Sequence, residues 1–125
     1  MRILLTVAAL AEAATGLALL VYPTIVIRLL FGAEIAGAGD VVGRVAGISL
    51  IALGVACWPG GAMTQGFYGM LIYNLLVTLC FVYVGLSSPW VGVLLWPAAV
   101  GHALLTLLLT RAWFRERAQK MPAAV

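Results

Sequence analysis

Four strongly polar side chains fall one to each of four very apolar stretches: Glu12, Arg44, Asn74 and His102. A carboxyl, a guanidinium, an amide and an imidazole could together clamp a small polar group, or hold and relay a proton. A charged side chain at mid-membrane costs on the order of 2.5–3.5 kcal/mol on translocon-based scales. Repeating that cost is understandable if the groups face one another inside a bundle. Ser49 and Tyr73 place two hydroxyls in the same stretches. The candidate ligand-binding set is therefore Glu12, Arg44, Ser49, Tyr73, Asn74 and His102. Glu12 would be a proton-coupled carboxylate, Asn74 and Ser49 would orient the ligand, and His102 would relay a proton.

Each residue also has an ordinary structural role. Asn74 could be an interhelical clamp, worth about 0.6 kcal/mol on average. His102 could donate to a carbonyl or to Asn74, and Ser49 could bond its own helix backbone. Arg44 could bend toward Glu12 or rise along its long stem to Glu34 and Asp40. Glu12, if unpaired, would stay protonated; paired with Arg44 or a protonated His102 it could ionise.

The elements that position these groups are helices. The chain is 65% hydrophobic and 9% charged, with a mean hydropathy of +1.16. Soluble domains carry roughly 25% charged residues, so a water-facing surface is not expected here. The expected fold is all-α: an integral membrane, antiparallel four-transmembrane-helix bundle forming one domain over residues 1–125. The spans are expected near residues 3–22, 41–58, 66–86 and 90–113. Pro23, the Pro59-Gly60-Gly61 stop and Ser87-Ser88-Pro89 punctuate them. Residues 25–31 could extend the first helix or lie at the interface, and the tail beyond Trp113 is expected to fray. Trp96-Pro97 is expected to free the Val93 carbonyl and bend the fourth span. The Arg2-led N-terminus reads as an uncleaved first span, because Glu12 interrupts the run a secretory signal would need.

Lys and Arg set the expected orientation. Arg2, Arg111, Arg115, Arg117 and Lys120 lie at the termini, against Arg28 and Arg44 at the other end, which gives N-in, C-in. At ~1.5 Å rise per residue, Glu12, Ser49, Asn74 and His102 all fall ~12–14 Å from the inner ends of their spans. They should share one layer. His102, Thr106 and Thr110 recur at i+4 as a polar stripe. Gly43-x-x-x-Gly47 offers a close-packing face, for a neighbour within the chain or for a homodimer.

The expected partners are the lipid bilayer and a small hydrophobic or proton-coupled ligand, with no nucleic acid. No cofactor or metal is expected. There is no Cys-x-x-Cys, no His pair and no phosphate-binding glycine loop, and one His with one Glu is a short ligand set. Cys57 and Cys80 fall at different depths and read as packing residues. A hydrolase is not expected, since no Ser/His/Asp set gathers at one membrane edge.

With Arg44-Val45-Ala46-Gly47 opening its second span, a first span rich in small residues and a compact four-span length, the layout resembles small bacterial four-helix membrane proteins of the DoxX-like kind. That resemblance implies a bacterial inner (cytoplasmic) membrane protein. It also implies an accessory role in quinone-linked oxidation. His102 and Tyr73 lie outside the resemblance, but as hydrogen-bonding groups they could stand near a quinone-like ring, with a cofactor-bearing partner carrying the electrons. The residues themselves favour binding or transport of a small molecule at mid-membrane. A purely structural subunit is the third reading; its polar layer would bond only to itself and leave no cavity.

Overall fold

The structure is a computed structural model that describes residues 1–60 and 63–120. Helix α1 spans Arg2–Val21. It stops at Tyr22, because Pro23 has no N–H with which to continue the ladder. Pro23 instead opens α2, Pro23–Phe31, at a first-turn position where the missing donor costs nothing. Gly32 closes α2 in the left-handed region, φ 65°, where a side chain would be strained. Then follow α3 (Ala38–Ala56), α4 (Met63–Ser87) and α5 (Leu95–Lys120). No strand occurs among the described residues. Four helical stretches, Arg2–Val21, Ala38–Ala56, Gln65–Ser87 and Leu95–Gln119, are long and apolar enough to cross a membrane.

The helices pack as two tight antiparallel pairs, α1 with α3 and α4 with α5, and the pairs approach each other more loosely. Small residues explain the first pair. The buried face of α3 is Gly43, Gly47, Leu50 and Gly54, spaced i, i+4, i+7, i+11 along one stripe. A Cβ at Gly47 would lie 2.5 Å from the Gly16 carbonyl oxygen, and one at Gly54 would lie 2.7 Å from that of Ala9. Backbone thus meets backbone, and only glycine fits. Gly43 receives the Pro23 ring, with a would-be Cβ 2.9 Å from Pro23 Cβ. The second pair closes where the Trp96 ring covers Gly85.

A dry core fills the end of the bundle near the chain termini. Leu5, Ala8, Ala9, Cys57, Phe67, Met70 and Leu109 are its buried members. Outward faces are apolar too: Val7, Leu10, Ile48, Leu76, Leu79 and Leu104 are all more than half exposed.

Several boundaries differ from those read in the sequence. Residues 25–31 do not extend the first helix; they belong to the separate helix α2. The last long helix begins at Leu95 rather than Trp90. The reason is a cap: Gly92 N–H donates to Leu30 O and Leu94 N–H to Leu29 O, each at 2.9 Å. These bonds satisfy carbonyls that the end of α2 would leave orphaned. Pro97 consequently sits in the first turn of α5, where no intrahelical bond needs its N–H, so the bend expected from Trp96-Pro97 has no cause. Past Trp113 the chain stays helical to Lys120, with the Arg117 guanidinium 3.9 Å over the Trp113 ring one turn back. The helix of the third expected span begins at Met63, before Gly66. The Pro59-Gly60-Gly61 stop is described only as far as Gly60; residues 61 and 62 lie outside the described residues, as do 121–125.

Candidate functional site

Glu12 is on the buried stripe of α1, with Ala8, Ala9 and Gly16 around it, and is 3% exposed. Asn74 is fully buried on α4, one turn past Met70 and two past Phe67. His102 comes from α5, and its Nδ1 stands 2.7 Å from Asn74 Oδ1 and 3.7 Å from Glu12 Oε1. The Tyr73 hydroxyl lies close to the Glu12 carboxyl, and the Tyr73 ring packs edge-to-face on His102, centroids 5.8 Å apart. Four of the six candidate residues therefore meet, from three helices.

The hydrogen bonds settle the histidine tautomer. Asn74 Nδ2 donates to the Met70 carbonyl at 2.9 Å, a role that only the NH₂ end of the amide can fill. Oδ1 must then face His102, and as an acceptor it requires a proton on Nδ1. In the neutral ring Nε2 is left as a lone-pair acceptor, and it makes no hydrogen bond among the described residues. The ring is held edge-to-face by Tyr73 and by Phe81, each with centroids 5.8 Å away. With Nδ1 tied to Asn74 and two aromatic rings packed edge-to-face against it, the imidazole is held in one orientation.

Beyond this cluster, on the side away from the dry core, the loose contact between the helix pairs opens into a cavity of about 630 Å³. Tyr73 and His102 lie at its polar end, Val77 and Phe81 rise from α4, and Ala46 and Leu50 come from α3. The α2 residues Ile27, Leu30 and Phe31 cover it. A second cavity of about 330 Å³ touches Glu12, Thr15, Gly101 and His102. His102 and Thr15 line both spaces, so the imidazole stands between the Glu12 side and the larger cavity.

Two candidates lie elsewhere. Arg44 does not bend toward Glu12: its Nε bonds Asp40 Oδ2 at 3.0 Å, and a terminal nitrogen donates to the Leu20 carbonyl at 2.7 Å. It closes the C-terminal end of α1, where carbonyls lack helical partners and a cation is favoured. Ser49 is exposed on the outer face of α3 and its hydroxyl bonds the Val45 carbonyl at 2.9 Å. The stripe of Thr106 and Thr110 is likewise self-satisfied, through the carbonyls of His102 and Thr106. Cys57 and Cys80 are both free; the first is buried against the Gly66 carbonyl and the second is exposed at the large cavity. Among the described residues no group of three His, Cys, Asp or Glu side chains converges as a metal would need.

Phe81, Val77 and the α2 cover went unnoticed in the sequence. Phe81 had a signal, since Tyr73, Val77 and Phe81 recur every four residues on one helix face. For α2 there was none, because its place depends on contacts with residues about sixty positions away.

No family model, curated protein or solved structure matches the chain, so the DoxX-like resemblance rests on layout alone.

Proposed function

We propose that the chain is an integral membrane protein, one four-span bundle, that binds a small molecule in the cavity beside Glu12, Tyr73, Asn74 and His102. The carrying observation is that the polar cluster adjoins a cavity instead of being sealed by packing. A layer serving only helix register would be closed over, as the core around Leu5 and Phe67 is. A cavity of this size falls in the usual range for small-molecule sites, roughly 300–1,000 Å³, and has their usual make-up of apolar walls with a few convergent polar groups.

Membrane insertion is supported by the four long apolar helices and by the exposed Leu, Ile and Val around the bundle. Contiguous apolar surface on that scale is expected against lipid, not water. The charge distribution favours N-in, C-in, and the layout fits a bacterial inner membrane. In this reading Glu12 couples ligand binding to a proton through its position 3.7 Å from His102. Arg44 and Ser49 would serve the bundle's ends and surface instead of the ligand.

The test is native mass spectrometry of protein carried from its own membrane into lipid nanodiscs, over a range of pH. Wild type is expected to retain a small molecule with pH-dependent occupancy, and Glu12→Gln to make occupancy independent of pH. Wild type with no bound species at any pH would contradict the reading.

A further inference from the structure

Taking the cavity as a binding site, we infer that it selects a neutral, elongated apolar molecule ending in a hydroxyl group, an alcohol or a phenol, which reaches it sideways from the bilayer between α3 and α4.

The head group follows from the hydrogen-bond chain. Met70 O fixes the Asn74 amide, Asn74 Oδ1 fixes the proton on His102 Nδ1, and Nε2 is left as an acceptor. An unpaired acceptor that is not sealed by packing, on a residue lining apolar walls, selects a donor, and the smallest neutral donor on an apolar body is O–H. The Tyr73 phenol stands at the same end and can give or take a second hydrogen bond. No Lys or Arg lines the cavity, so a carboxylate head would lose its hydration without gaining a counter-ion. Glu12, the nearest carboxyl, lines the smaller cavity and not this one, so an ammonium head would meet it only past Tyr73 and His102. The remaining walls, including Leu19, Ile27, Leu30, Leu50, Val77 and Phe81, suit a hydrocarbon body.

The route follows from packing. Contact between α3 and α4 is sparse, yet both line the cavity. Val42 is 67% exposed, and Ala46 and Cys80 are exposed too, although all three are lining residues. The gap between them faces the side of the bundle, where lipid would lie. The end of the bundle is covered by α2, whose last carbonyls are tied to the 92–94 segment.

Photolabelling in nanodiscs separates this inference from the reading it rests on. Four probes with the same twelve-carbon chain and a mid-chain diazirine would be compared: an alcohol, a methyl-ended hydrocarbon, a carboxylic acid and an amine. The alcohol is expected to label Val42, Ala46, Val77 or Cys80, at least about tenfold more than the hydrocarbon at equal membrane concentration, the value of one well-made hydrogen bond. His102→Phe should reduce the alcohol to the hydrocarbon level. Tyr73→Phe, which keeps the ring, should reduce it in part, and it stands in if the histidine variant does not fold. If acid or amine labels these residues as well as the alcohol, or hydrocarbon and alcohol label alike, the hydroxyl assignment is wrong while the cavity reading survives. If no probe labels the lining, the cavity reading itself fails.

Discussion

His102 is where the chemistry of the bundle is decided, because a single nitrogen faces both an amide oxygen at 2.7 Å and a carboxyl oxygen at 3.7 Å. Asn74→Leu should remove the nearer partner and leave a buried N–H to turn toward Glu12. It is expected to cost about 1–2 kcal/mol in denaturant unfolding from mixed micelles, and to shift the His102 ring nitrogens in NMR. Ser49→Ala, by contrast, should change stability by less than about 0.5 kcal/mol, since that hydroxyl bonds only its own helix on the surface. The contrast shows what was legible. Helical rise gives depth, and by depth Glu12, Asn74, His102 and Ser49 all belong in one layer. Depth does not give azimuth. Once Gly47 faces α1, Ser49, two residues on, points roughly 200° away from that seam. Arg44 was ambiguous for another reason: the carbonyl it caps belongs to Leu20, 24 positions earlier in the chain.

The seam between α1 and α3 depends on glycine where backbones touch. Gly47→Leu would drive a side chain into the Gly16 carbonyl, with no flexible neighbour to yield. At least about 1–3 kcal/mol of destabilisation is expected, read as a lower thermal midpoint of the monomer. A dimer that falls to monomer with its fold intact would instead place this seam between chains. Gly101→Ala is the matched control: a Cβ there meets nothing within 4 Å, and helix propensity alone should leave stability unchanged or raised by up to about 1 kcal/mol. The Gly-x-x-x-Gly spacing made a close seam visible in the sequence, but not that Gly16 of the same chain is its partner. The late start of α5 was hidden for a similar reason. Residues 90–94 are apolar enough to continue a span, and only the orphan carbonyls of α2 draw them away.

Across the whole molecule the two ends differ in charge and in packing. Arg28 and Arg44 lie near Glu34 and Asp40, at 3.7 and 3.0 Å, so the cavity end carries little net charge. Arg2, Arg111, Arg115 and Arg117 crowd the termini beside the single acid Glu116. A C-terminal reporter active only in the cytoplasm should therefore be active, and the same reporter inserted after Gly37 should be silent. The four long apolar helices were legible because each is an apolar run of spanning length set off by Pro, Gly or Ser, whereas the short α2 was not. The cavity was not, since it comes from the unequal fit of two helix pairs, one drawn tight by glycines and the other by Trp96 on Gly85.

The central claim is that this cavity holds a molecule, and filling it with protein tests that most directly. Ala46→Trp adds a large apolar ring at the α3 wall and leaves Glu12, Tyr73, Asn74 and His102 unsubstituted. Native mass spectrometry from nanodiscs should show the wild-type chain carrying a small molecule. The Ala46→Trp chain, with unchanged helical content, should be empty. Equal occupancy in both, or none in either, would contradict the account.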